Sequence, residues 1–227
     1  MFPTLRTAFL LVALGTTGVG LLMPSLATAQ QADAPAVLTH DEAIKTPAGK
    51  FIQDLGNTAI SAIADKSITP TQRSDKFREI LRNSFDLMTI GRFVIGRSWN
   101  AATPDQQKEY IHLFQELVIR TYGDRMTLYS GEGFQVVGVR PETEKDTIVN
   151  SQITHPDGSE PTTIDWRVRL RDGKLGVIDV VVEGVSLSVT QRQEYAAVLQ
   201  NNNGQISALL DKMRQELQTA ENKQPTG

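Results

Sequence analysis

At Gly131-Glu132-Gly133 the hydrophobic period of the chain changes, and that single change limits its fold more than any other feature. Before it, apolar residues recur at the 3.6-residue spacing of helices; after it, they alternate with the period of 2 that belongs to strands. Helices and strands that occupy separate blocks do not build the alternating units of a parallel sheet. The expectation is an α+β protein in which an antiparallel sheet lays one apolar face against helices.

Within the first block, Thr46-Pro47, Thr69-Pro70 and Thr103-Pro104 each set an N-cap hydroxyl before a proline at the first helical position. There the missing N–H costs nothing and the fixed φ is already helical. Gln106 adds a capping box to Thr103. Apolar stripes follow each start: Phe51 to Ile63, Phe77 to Phe85, and Tyr110 through Tyr122 to Met126. A shorter helix is expected from Asp86 to about Ile95, stopping near Gly96.

Four strands are expected near 134–140, 146–154, 162–171 and 174–183. In the third, Ile164, Trp166, Val168 and Leu170 alternate with Asp165, Arg167, Arg169 and Arg171, so one face is apolar and the other largely basic. Pro156-Asp157-Gly158-Ser159 and Asp172-Gly173 read as hairpin turns, which makes the simplest sheet a four-stranded antiparallel meander. Beyond Gly184 the helical period returns, with Thr190 as a cap for a segment to Leu199 and a last amphipathic helix from Ile206 to Leu217.

The ends carry a different message. Arg6, an apolar run from Thr7 to Met23, the breakers Pro24 and Ser25, and Ala27-Thr28-Ala29 have the order of a secretory signal cleaved after Ala29. The expected layout is a signal peptide at 1–29, a flexible segment at 30–46, a domain at 47–217 and a polar tail at 218–227. The run is short for a bilayer span, which favours cleavage over an uncleaved anchor, and no other apolar stretch approaches spanning length, so the mature chain is expected to be soluble. Export without any cysteine leaves stability to core burial and excludes thiol chemistry. Losing Arg6 moves the net charge from −3 to −4, which argues against a nucleic-acid partner.

Chemistry-bearing motifs are few. Gly184-Val185-Ser186-Leu187-Ser188 has the outline of a nucleophile elbow, but Ser188 replaces the second glycine that the strained turn requires. His40, His112 and His155 are far apart, with no metal-binding spacing. Asp165, Asp172 and Asp179 are explained by turn formation and surface solvation. The stripe Arg167, Arg169, Arg171, with Arg140 and Lys174 nearby, has two readings: a site for anionic headgroups or an acidic partner, or a solvated face balanced by Glu142, Glu144, Asp146 and Asp165.

Three motifs in order carry a family resemblance. The run Asn83 to Trp99 holds an Asp, a short helix, then Gly, Arg and Trp; Thr103-Pro104-Asp105-Gln106 opens a helix leading to Phe114 and Tyr122; and Asp179-Val-Val-Val-Glu183-Gly184-Val185-Ser186-Leu187 is followed by Arg192. Together they resemble the MlaC, or toluene-tolerance, family of periplasmic phospholipid-binding proteins, over roughly Phe51 to Leu217. Leu175 to Ile178 departs from the family's aromatic stretch before Asp-Val, and Gln191 from its aromatic before Arg192, which implies altered packing or pocket shape.

The resemblance implies a curved, nuclear-transport-factor-like sheet covered by helices, with a small helical subdomain and an apolar cavity for acyl chains. It implies no enzyme activity and no cofactor, phospholipid being the cargo. It also implies a shuttle in the periplasm between an outer-membrane lipoprotein complex and an inner-membrane ABC transporter. The physics fits: at about 0.8 kcal/mol per methylene, two tails of roughly 30 methylenes cost about 24 kcal/mol to expose, so a carrier must enclose them. The candidate lipid-binding residues are Phe134, Val136, Ile164, Trp166, Val168, Val180 and Val182 on the sheet. Phe93, Trp99, Phe114, Val118 and Tyr122 are the candidates on the helices, with Val185 and Leu187 of the motif completing the set. Two rivals share this frame, a carrier of another apolar lipid such as a hopanoid and a lipid hydrolase using Ser186; an adaptor that binds only protein is the third.

Overall fold

The threonine–proline pairs start helices where their chemistry says they should. The computed structural model describes residues 38–65, 67–123 and 131–221. Its helices are α1 His40–Ala43, α2 Pro47–Ala64, α3 Pro70–Ser84, α4 Leu87–Ile95, α5 Pro104–Gly123, α6 Leu187–Asn201 and α7 Ile206–Glu221. The Oγ1 of Thr46 accepts the Gly49 N–H at 3.0 Å, and Thr69 and Thr103 close capping boxes with Gln72 and Gln106. Asp86 caps α4 by accepting from the Thr89 N–H at 2.9 Å, and Gly96, at φ +62°, ends it. A 3-10 turn over Gly96–Ala101 leads to α5.

The strands form one antiparallel meander in the order β1 Gly133–Pro141, β2 Asp146–Thr154, β3 Thr162–Arg171, β4 Lys174–Val182 and β5 Val185–Ser186. Four strands lie as expected; the fifth was not foreseen. It is two residues long, pairing Val181 with Ser186 and Val182 with Val185. The hairpin that makes it turns on Glu183 and Gly184, both at positive φ, the conformation a two-residue turn demands. Glu183 holds that position by accepting from both the backbone N–H and the hydroxyl of Thr163 across the sheet. Asp172-Gly173 makes the same kind of turn between β3 and β4.

Three further differences from expectation are local. Ser186, not Thr190, caps α6: its Oγ accepts the Val189 N–H at 3.1 Å, while Thr190 donates back to the Ser186 carbonyl. Helix α7 continues past Leu217 to Glu221. From Leu38 onward, the segment read as flexible is attached to β1. The Leu38 N–H donates to the Val139 carbonyl at 3.0 Å, His40 Nδ1 donates to the Val136 carbonyl, and Ala43 is fully buried. Residues 1–29 lie outside the described residues.

Two main cores result. One presses α1 and α2 on the sheet through Ala43, Ile52, Leu55, Val136, Val149, Val168 and Val177. The other joins α4, α5, α6 and α7 around Tyr110, whose hydroxyl donates to the Gly91 carbonyl at 2.9 Å. Burial pushes the phenols of Tyr110 and Tyr195 far above their ordinary pKa, so both stay neutral. This second core is built between helices, away from the sheet core. A small third cluster seats Phe77 and Leu81 of α3 on Ile119 of α5.

Gly49 is where α1 and α2 touch: a methyl there would lie 2.0 Å from the Ala43 carbonyl oxygen, which is backbone and has little room to yield. Gly49→Ala is expected to cost about 1–3 kcal/mol in denaturant unfolding, despite the better helix propensity of alanine.

Candidate functional site

The inward face of the sheet, the one that meets α1 and α2, is laid out in rows set by strand register. Val139, Val149, Trp166 and Val180 form one row, and Val136, Ser151, Ile164 and Val182 the next. Two bulges make this possible. An extra residue at Val137 lets Val136 and Val139 both point inward, and one at Ile178 does the same for Val177 and Val180. The inward side of β4, illegible in its unbroken Val-rich sequence, is settled by that bulge.

Trp166 stands on β3, the middle strand. Its indole N–H donates to Ser151 Oγ at 2.9 Å, and Ser151, itself buried, donates on to the Ile164 carbonyl at 3.1 Å. The ring meets Phe134 and Phe85 edge to face, with centroids 6.3 Å and 6.4 Å away. Phe85 is held by a bridge from its own position to Val177 on β4, and Phe134 lies on Gly56 of α2, where a methyl would approach its ring to 2.2 Å. The three rings thus form a bar running diagonally across the sheet from β4 to α2. Phe85 was not among the candidate site residues; its adjacency to the Asp86 cap was the available signal.

Burial changes across this bar. On one side Val139, Val149, Val168 and Val177 are at most 4% exposed. On the other, Ile153 and Val182 of the sheet are only half-buried, and so are Ile60 and Ile63, which continue the α2 stripe beyond Gly56.

The candidate residues therefore separate. Phe134, Val136, Trp166, Val168 and Val180 gather in the sheet core, with Ile164 and Val182 beside them in register. Trp99 and Phe114 pack on Tyr110 within the helical core, and Arg92 lies over the Trp99 ring. Val118 and Tyr122 belong with Phe77 and Leu81 under α3. Phe93 is 43% exposed beneath the Arg192 guanidinium and Val185 is 57% exposed on β5, so neither joins an apolar cluster. Leu187 is half-buried as the first residue of α6.

Polar groups have structural employment. Asp179 is buried rather than solvated: it accepts from Ser186 Oγ at 2.7 Å and from the N–H groups of Val180 and Ser188. That web joins β4 to the start of α6. The Asp-Val-x-x-Glu-Gly-Val-Ser-Leu run is accordingly a device for a tight hairpin and a capped helix. No histidine approaches Ser186: His40 serves Val136, His155 contacts Thr162 Oγ1 at 3.0 Å, and His112 is exposed on α5. The arginine stripe is paired off, Arg167 with Glu142, Arg169 with Asp146 and Arg171 with Asp86. An open recess between the β1–β2 and β3–β4 turns is lined mainly by polar and charged side chains, the paired Arg169 and Asp146 among them, with Leu170 also on its wall. Among the described residues no three His, Cys, Asp or Glu side chains are grouped to hold a metal ion.

Comparison with known proteins gives a consistent picture. The profile of the MlaC protein family matches residues 53–215. The chain is 24% identical over 186 residues to the intermembrane phospholipid transport system binding protein MlaC of Haemophilus influenzae, covering 79% of this chain and 86% of that one. It is 22% identical to the toluene tolerance protein ttg2D of Pseudomonas putida, covering 63% and 66% of the two chains. A phospholipid-binding protein from Ralstonia solanacearum, solved in complex with a phospholipid, has the same fold, with a TM-score of 0.67, 21% identity, and coverage of 76% of this chain and 97% of that one.

One paired arginine makes a pH prediction. Arg169 donates to both Asp146 oxygens at 2.7 Å and 2.6 Å and holds that carboxyl below the usual carboxylate range. A depressed pKa contributes stability that is present above the unfolded value near 3.9 and is lost as pH falls through the folded one. Asp146→Asn is expected to cost about 1–2 kcal/mol at neutral pH. In unfolding curves taken at successive pH values, the gap to wild type should close below about pH 4.

Proposed function

The chain belongs to the MlaC family, and from that premise we propose that it is a phospholipid carrier that encloses acyl chains between its sheet and its helices. The observation that carries the reading is that apolar residues beyond the aromatic bar, Ile60 and Ile63 of α2 and Ile153 and Val182 of the sheet, are each only half-buried. An antiparallel sheet with one open apolar side and a helical cover is a natural container for hydrocarbon. Two relatives, one a binding protein of phospholipid transport and the other solved with a bound phospholipid, support the cargo class.

The signal-like residues 1–29 support a periplasmic location. There the carrier would exchange lipid with an inner-membrane ABC transporter and an outer-membrane lipoprotein complex. Bilayer and container are both apolar, so moving a tail between them changes little free energy. Direction then comes from the partners and from nucleotide hydrolysis elsewhere. The reading includes no covalent step, and no cofactor beyond the lipid itself. Ser186 fits it as a helix cap whose hydroxyl proton is engaged by Asp179.

Native mass spectrometry of the mature protein purified from the periplasm is expected to show a phospholipid adduct that denaturation releases intact. Ser186→Ala should keep the adduct while losing about 1 kcal/mol of stability as its cap is removed. Isolation of only bare polypeptide, or of hydrolysed lipid that becomes intact lipid in Ser186→Ala, would overturn the carrier.

A further inference from the structure

Resting on the carrier reading, the geometry points to the bar of Phe134, Trp166 and Phe85 as the floor of the tail slot, and so as the element that selects acyl-chain length. Two independent boundaries coincide there. Along α2, the inward stripe is fully buried at Ile52 and nearly so at Leu55, then only half-buried at Ile60 and Ile63; the change falls at Gly56, where Phe134 rests. Across the sheet, the valines on the α1 side of Trp166 are packed shut, while on the other side Ile164 is 8% exposed and Val182 and Ile153 are half-buried. A tail lying along the open side meets the three rings before it can reach the packed side.

A floor selects length only if it does not give way. The indole is a rigid plane, and its N–H is tied to a buried hydroxyl that is itself tied to the β3 backbone. Freeing Trp166 to swing would leave the hydroxyl of Ser151 without its donor in a dry environment, which disfavours the swing. Phe134 and Phe85 brace the ring from both ends at edge-to-face angles of 78° and 66°. Trp166 is thereby a specificity-determining residue, Ser151 the residue that positions it, and Gly56 the gap that lets Phe134 close the bar against α2.

The test is competitive loading. Delipidated full chain is offered an equimolar mixture of dimyristoyl, dipalmitoyl and distearoyl phosphatidylethanolamine, and the bound lipids are identified by mass. Wild type should discriminate against distearoyl, and Trp166→Ala should shift the bound pool toward it by about fourfold for each extra methylene admitted. Ser151→Ala should shift it the same way by less, and Trp166→Phe should lie between wild type and Trp166→Ala. Should Trp166→Ala fail to fold, Trp166→Leu and Phe134→Leu carry the comparison. Folded variants whose bound pool matches that of wild type would overturn the floor while leaving the carrier intact. Failure of wild type to take up any of the three lipids would overturn both.

Discussion

Helix α2 lies on the sheet through a contact that only glycine permits, and much of the architecture follows from it. With no side chain at Gly56, the Phe134 ring sits directly against the helix backbone. That close approach seals the sheet core on the α1 side, because Ala48, Ile52 and Leu55 are brought down onto Val136, Val149 and Val168. It also fixes one end of the aromatic bar whose other end, Phe85, is set by the junction of α3 and α4. One tight point thus separates a fully packed part of the inner face from a part whose residues Ile153 and Val182 are less buried, and the proposed function is placed at that division.

What the residues announce in advance is whatever is decided locally. A threonine before a proline starts a helix whatever lies elsewhere, and all three such pairs do so. Alternation in β3 likewise identifies its apolar face, because Ile164, Trp166 and Val168 share it over a short span. Long-range decisions are silent. The bulge at Ile178 depends on how β4 is matched to β3, and a valine-rich strand gives no hint of it. Strand β5 exists because Glu183 reaches Thr163, twenty positions back, and the basic stripe is neutralised partly by Asp86, a helix cap from the other half of the chain.

The candidate site was legible in proportion to the same rule. The sheet residues belong together because a strand's face is a property of its own sequence. Trp99 and Phe114 look equally suitable by composition, yet they close a separate helical core around Tyr110, since helix partners are chosen by the whole bundle. The family motif teaches a related lesson. Its Asp, Glu, Gly and Ser look like reactive chemistry in the order of their letters, but here they turn a chain and begin a helix.

With the aromatic bar as the proposed floor, the packed valines behind it would make the tail slot a blind one, closed on the α1 side. A molecule sheathed tail first must be withdrawn head first through the same opening. A blind slot would suit a carrier that is filled and emptied in turn, and not a conduit through which lipid passes.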